Sequence, residues 1–152
     1  MDETTQSELE KILRKFEDDV KEQSRKVEET KQEIERFQGE YTRVKRDVIK
    51  PTMEEVGTYI KKLGHEYGII ESEDKISMDI IPKMMNRIIL DRPRISFDRW
   101  ATEINIFKYP TFTSGASSQR VKIEDVTRSS VEQNILDVMK EWERKISNRY
   151  LD

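Results

Sequence analysis

The chain has 152 residues, 34 % hydrophobic and 39 % charged, with a formal net charge of −3 and no cysteine. An ordinary globular domain is about 45–50 % apolar and about 25 % charged, so much of this chain cannot be buried within itself. The missing cysteines exclude a disulfide framework, a thiolate nucleophile and a cysteine-based metal site. Acidic and basic residues are spread evenly through both halves, so nothing pushes the chain toward nucleic acid or anionic lipid. No run approaches the roughly 20 apolar residues of a membrane span. The opening MDETTQSELEK lacks a basic region followed by an apolar core and does not read as a secretory signal. The expectation is a cytoplasmic protein.

The first predicted element is a helix starting near Thr4, Thr5 or Ser7, each a suitable N-cap, with Glu8 and Glu10 in a first turn that favours carboxylates. From Leu9 to Val48 there is no proline and one glycine, Gly39. Leu13, Val20, Val27, Ile34, Tyr41 and Val48 recur every seven residues as an a series, and Leu9, Phe16, Phe37 and Val44 fill d positions. Gln23 and Thr30 are polar d residues, of the kind that weakens a coiled coil or fixes its register. This heptad pattern predicts a coiled-coil stalk over residues 1–50, with those ten apolar residues as the oligomer interface and a dimer as the expected state. In a parallel homodimer Glu40 would attract Lys45, whereas Lys26 would repel Lys31. A parallel homodimer, an antiparallel pair, a heteromer and an internal fold-back under Pro51 all remain open on this pattern.

Pro51 punctuates the helix. Beyond it Ile49, Met53, Val56, Ile60 and Leu63 carry the apolar stripe, displaced by one position from Val48. A connecting helix over 51–65 follows, with Gly64 and Gly68 both suited to end it. The period then changes to two. Ile76/Met78/Ile80, Ile88/Leu90, Ile95/Phe97, Ile104/Ile106 and Val121/Ile123 read as short strands, separated by Pro82, by Asp91–Pro93 and by the small polar stretch PTFTSGASSQ. That stretch, 110–119, reads as a mobile hairpin loop. A last helix over 129–149 places Val131, Ile135, Met139, Trp142 and Ile146 on one face. Thr127 or Ser129 can cap it, and Ser129 with Glu132 has capping-box spacing. The expected fold is α+β: a long N-terminal coiled-coil helix, then a head over 66–152 in which four to five antiparallel strands are packed by the C-terminal helix.

Catalytic chemistry finds little support. His65 is the only histidine; HExxH is absent because position 69 is Ile, and the expected role is a helix-end residue meeting terminal carbonyls. The Gly/Ser loop 113–118 lacks both GxxxxGK[ST] and GxGxxG. Asp79, Asp98 and Glu103 are head carboxylates that nothing in the pattern brings together, and no cofactor or metal is implied. Arg87, Arg92, Arg94 and Arg99, with Trp100 among them, form a basic and aromatic stretch that can bind single-stranded nucleic acid. Asp91 and Asp98 dilute its charge, and strand alternation splits it between faces. Phe107, Tyr109 and Phe112 fall opposite Ile104 and Ile106. They form either a partner face or a surface covered by helix 51–64. The leading expectation is a non-catalytic interaction or adaptor protein that oligomerises through its helix and docks a partner with its head. The alternatives are a nucleic-acid-binding module and a small enzyme with an unrecognised site.

Overall fold

The computed structural model describes residues 1–84, 87–88 and 91–150. The chain divides into two compact units, Met1–Arg36 and Phe37–Asp152. The first lies within helix α1, Glu3–Val44. Its N-cap is Asp2, whose Oδ1 accepts the Thr5 backbone N–H at 2.7 Å; Thr4, Thr5 and Ser7, expected as caps, lie inside the first turns. The bond from Thr5 holds the Asp2 carboxyl below its ordinary pKa. Arg25 bridges Glu22 and Glu29, the latter at 2.7 Å, the one-turn spacing at which helix charges meet.

The second unit opens with the last turns of α1. Its helical backbone runs without a turn through Pro51. Val44, Ile49 and Lys50 all keep right-handed helical dihedrals, and residues Lys45–Ile49 form one π turn before helix α2, Lys50–Lys62. The fold-back under Pro51 therefore does not occur. The Lys50 N–H reaches five residues back to the Lys45 carbonyl, which inserts one extra residue into the helical turn. That insertion is the physical counterpart of the one-position shift in the apolar stripe, and both Val44 and Ile49 are buried. Pro51 falls in the first turn of α2, where its missing N–H is tolerated. The Thr52 hydroxyl donates to the Val48 carbonyl at 2.6 Å.

Helix α2 ends in a Schellman arrangement. The His65 N–H bonds the Ile60 carbonyl at 3.2 Å and the Gly64 N–H bonds that of Lys61 at 3.0 Å. Gly64 supplies the required left-handed residue, with φ +93. Gly57 answers a different need: a Cβ there would lie 2.4 Å from the Tyr67 ring, so its absence lets strand β1 approach the helix.

Among the described residues, five antiparallel strands form one sheet in the order β1, β2, β5, β6, β7: Glu66–Ser72, Lys75–Ile81, Arg94–Trp100, Glu103–Tyr109 and Ser117–Val121. The pair β3 and β4, Lys83–Met84 and Arg87–Ile88, makes a separate two-stranded ribbon. The Ile88/Leu90 strand is thus not part of the main sheet, and Leu90 lies outside the described residues. Ile123 belongs to a short 3-10 turn, Ile123–Asp125, rather than to β7. Strand β1 was not anticipated by the alternation pattern.

Register assigns the faces. Ile76 pairs with Phe97 and Phe97 with Ile106; Met78 pairs with Ile95 and Ile69. These residues share one face and, with Tyr41, Val44, Ile49 and Met53 from the helices and Val131, Ile135 and Val138 from α3, Arg128–Tyr150, form the core. The Tyr41 hydroxyl donates to the Phe97 carbonyl at 2.6 Å, which satisfies a buried polar group inside that core. Helix α3 starts with a reciprocal box between Thr127 and Ser130: Ser130 N–H to Thr127 Oγ1 at 3.2 Å, and Thr127 N–H to Ser130 Oγ at 2.8 Å. The pair is displaced by two positions from the expected Ser129–Glu132, and it keeps the three-residue spacing that the box requires.

Candidate interaction surfaces

Every residue from 1 to 33 is exposed, so the first unit leaves its apolar stripe bare as far as Val27. Leu9, Leu13, Phe16, Val20 and Val27 are 45, 59, 65, 47 and 68 % exposed, and Ile34 is half-buried. At 3.6 residues per turn these six fall within a strip about 60° wide on the helix. Ile12, 63 % exposed, borders the strip and was not singled out in the sequence. Aligned side chains of this size in water are far from the scattered single exposures of an ordinary surface.

The same heptad series changes its role at Phe37. Phe37, Tyr41 and Val44 are buried and Val48 is half-buried in the core of the second unit. These four, expected in the oligomer interface, are instead covered by their own chain, because the sheet and the other helices supply the apolar partner that the stripe requires. The seam left open is Leu9 to Ile34.

A second surface is the sheet face opposite the core. Helix 51–64 was one of two expected outcomes for this face, but it lies on the core face, where Gly57 meets Tyr67 and Met53 joins the core. Phe107 and Tyr109 share the opposite face, both half-buried and stacked with centroids 6.3 Å apart. Phe107 is in register with Ser96 and Ser118, and Ser96 with Ser77, so small hydroxyl residues flank the ring. Phe112 is exposed and lies 5.5 Å from the Arg92 guanidinium; Trp100 is exposed and lies 5.8 Å from that of Arg120. Arg120 was not singled out in the sequence, although its register opposite Asn105 places it on this face.

The arginine stretch is split as alternation requires. Arg94 lies on the aromatic face and pairs with Asp79; Arg92 approaches the same carboxylate at 3.9 Å; Arg99 lies on the other face and pairs with Asp74 at 2.8 Å. The Asp79 partner raises the Arg94 pKa further. The Arg87 side chain lies outside the described residues. Three of the four arginines therefore already face carboxylates of their own chain.

His65 is held differently from expectation: its Nδ1 accepts the Lys83 backbone N–H at 2.9 Å, while the terminal carbonyl of the helix is met by its backbone. The 110–119 loop is tied down. Asp91 accepts the Phe112 N–H at 2.8 Å, Thr111 is fully buried, and the Asp91 carbonyl accepts the Trp142 indole N–H at 2.7 Å. Among the described residues no three His, Asp or Glu side chains converge as a metal site, and no helix is long and apolar enough to cross a membrane. No family model, no curated protein and no solved structure matches the chain.

Proposed function

We propose that this is a non-catalytic interaction protein whose N-terminal helix pairs with another helix, while the aromatic face of its head contacts a second protein. The observation that carries the reading is the bare seam from Leu9 to Val27. Fully burying one such side chain is worth roughly 1.5–3 kcal/mol, and water offers that gain to any helix with a matching stripe. The nucleic-acid alternative is weakened by the acidic partners of Arg92, Arg94 and Arg99. Charges already paired with carboxylates release fewer counterions on meeting phosphate.

The test replaces Val27 and Ile34 together by Asp. Circular dichroism verifies that the second unit stays folded, and sedimentation over a range of concentrations measures mass, both alone and for the complex captured from native lysate. The parent associates and the double variant does not. A double variant that keeps the parental mass refutes the assignment of the seam, as does a parent that stays a lone monomer in both preparations.

A further inference from the structure

Resting on that reading of the seam, we infer that the helix pairs with a second copy of the same chain, antiparallel, in the register that sets Leu9 of one copy beside Ile34 of the other. The first argument is extent. Leu9 and Ile34 are the two ends of the seam left open, since Phe37, Tyr41 and Val44 are buried and Val48 half-buried within the second unit. This register overlaps the seam along its whole length. Counting inward, Phe16 meets Val27, Leu13 meets Thr30 and Val20 meets Gln23. The Thr30 hydroxyl already donates to the Lys26 carbonyl at 2.9 Å, so covering it strands no polar group.

The second argument is charge. In an antiparallel pair the residues flanking the seam meet their own kind across the interface, e with e and g with g. In this register Lys31 of one copy falls between Glu10 and Glu17 of the second copy, and Asp19 falls between Lys26, the nearer, and the second copy's Asp19. Two-fold symmetry repeats each contact. Arg25, on the outer surface, is paired with Glu22 and Glu29. Glu10, Glu17, Asp19, Lys26 and Lys31 carry no ion pair among the described residues. Their charges are unspent, and they line the strip.

The competing arrangements lack this match. A parallel dimer sets Lys26 against Lys31 and forms no opposite-charge pair within residues 1–36. The antiparallel register shifted by one heptad, with Leu9 beside Val27, sets Glu17 against Glu17, brings Asp19 closer to Asp19, keeps only the Glu10 contact of Lys31, and leaves Ile34 uncovered. Flanking charges of this kind choose orientation and register.

Reversing one charge separates the arrangements by sign. Lys31→Glu is compared with the parent by sedimentation equilibrium at low ionic strength, with helicity followed by circular dichroism. The antiparallel dimer weakens by about tenfold or more, because contacts at both ends turn from attraction to repulsion. The combined variant Glu10→Lys, Glu17→Lys, Lys31→Glu regains the parental dissociation constant. Tighter association of Lys31→Glu, whose new carboxylate would meet Lys26 in a parallel pair, overturns the antiparallel assignment and leaves helix pairing intact. An unchanged constant overturns the register. A parent that is monomeric at every concentration overturns self-pairing, and the Val27 and Ile34 variant in the captured complex then decides whether any helix occupies the seam.

Discussion

Gly57→Ala should destabilise the second unit, although a helix interior normally gains from that exchange. Alanine is worth about 1 kcal/mol over glycine in a mid-helix position. Here the added methyl would lie 2.4–2.5 Å from three ring carbons of Tyr67, whereas carbon atoms rest about 3.5–4.0 Å apart. The ring must retreat by about 1 Å or swing out of its place at the margin of the core. Overpacking of this kind costs about 1–3 kcal/mol. Set against the propensity gain of about 1 kcal/mol, the expected outcome is a net loss of up to about 2 kcal/mol. Both tryptophans, Trp100 and Trp142, lie in the second unit, so urea unfolding followed by their fluorescence reports it. The control is Tyr67→Ala, which removes the obstacle. On that background Gly57→Ala should stabilise by about 1 kcal/mol, the ordinary helix preference. A Gly57→Ala protein more stable than the parent, or an equal effect on both backgrounds, would refute the close approach of Tyr67.

Two further outcomes are expected. Burial raises the Tyr41 pKa well above its ordinary value, with Asp98 and Asp74 adding to the effect. The folded state thus holds this proton more tightly than the unfolded state. The contribution is fully present below the unfolded pKa of about 10 and is lost as pH rises above it. Urea midpoints taken from pH 8 upward should fall beyond about pH 10, and less steeply for Tyr41→Phe, which also forfeits the bond to the Phe97 carbonyl. Parallel slopes for the two proteins would remove Tyr41 as the cause. Ala101→Gly should stabilise by about 0.5–1 kcal/mol, because Ala101 sits at φ 51 in the tight connection between Trp100 and Glu103 and a left-handed alanine is strained. Unchanged or lower stability in the same assay would contradict that strain.

Periodicity found the elements whose side chains meet a single environment. Strands β2, β5 and β6 alternate because one of their faces packs on helices. Gly64 announced a helix end because few residues tolerate its conformation. Strand β1 was hidden: Gly68 interrupts its alternation and Ile69 and Ile70 stand side by side, so one isoleucine packs on the core while the other is exposed. The cap at Asp2 was missed by a few positions, and Thr127 was one of two candidates for the last helix while its box partner Ser130 was not foreseen, since several neighbouring polar residues compete for such sites and only the backbone path selects among them. The seam shows a deeper limit. Leu13 and Tyr41 occupy equivalent heptad positions, yet one is exposed and the other buried. A repeat states that a stripe needs cover; it does not state whether the cover is intramolecular. The aromatic face was legible from the alternation of Phe107 and Tyr109 against Ile104 and Ile106. Which face helix 51–64 occupies was not, because strand β6 carries large apolar side chains on both, Ile104 and Ile106 on one and Phe107 and Tyr109 on the other.

The π turn at Lys45–Ile49 sets a rule for how this chain tolerates change. Losing one residue there would shorten the protein negligibly but would rotate everything after it by about 100° about the helix axis. Met53 and Gly57 would then aim away from the sheet they now fit. Insertions and deletions in this short segment therefore act as changes of angular phase rather than of length. The surplus residue that looks like a local irregularity serves as the gear tooth that keeps two differently timed stripes in mesh.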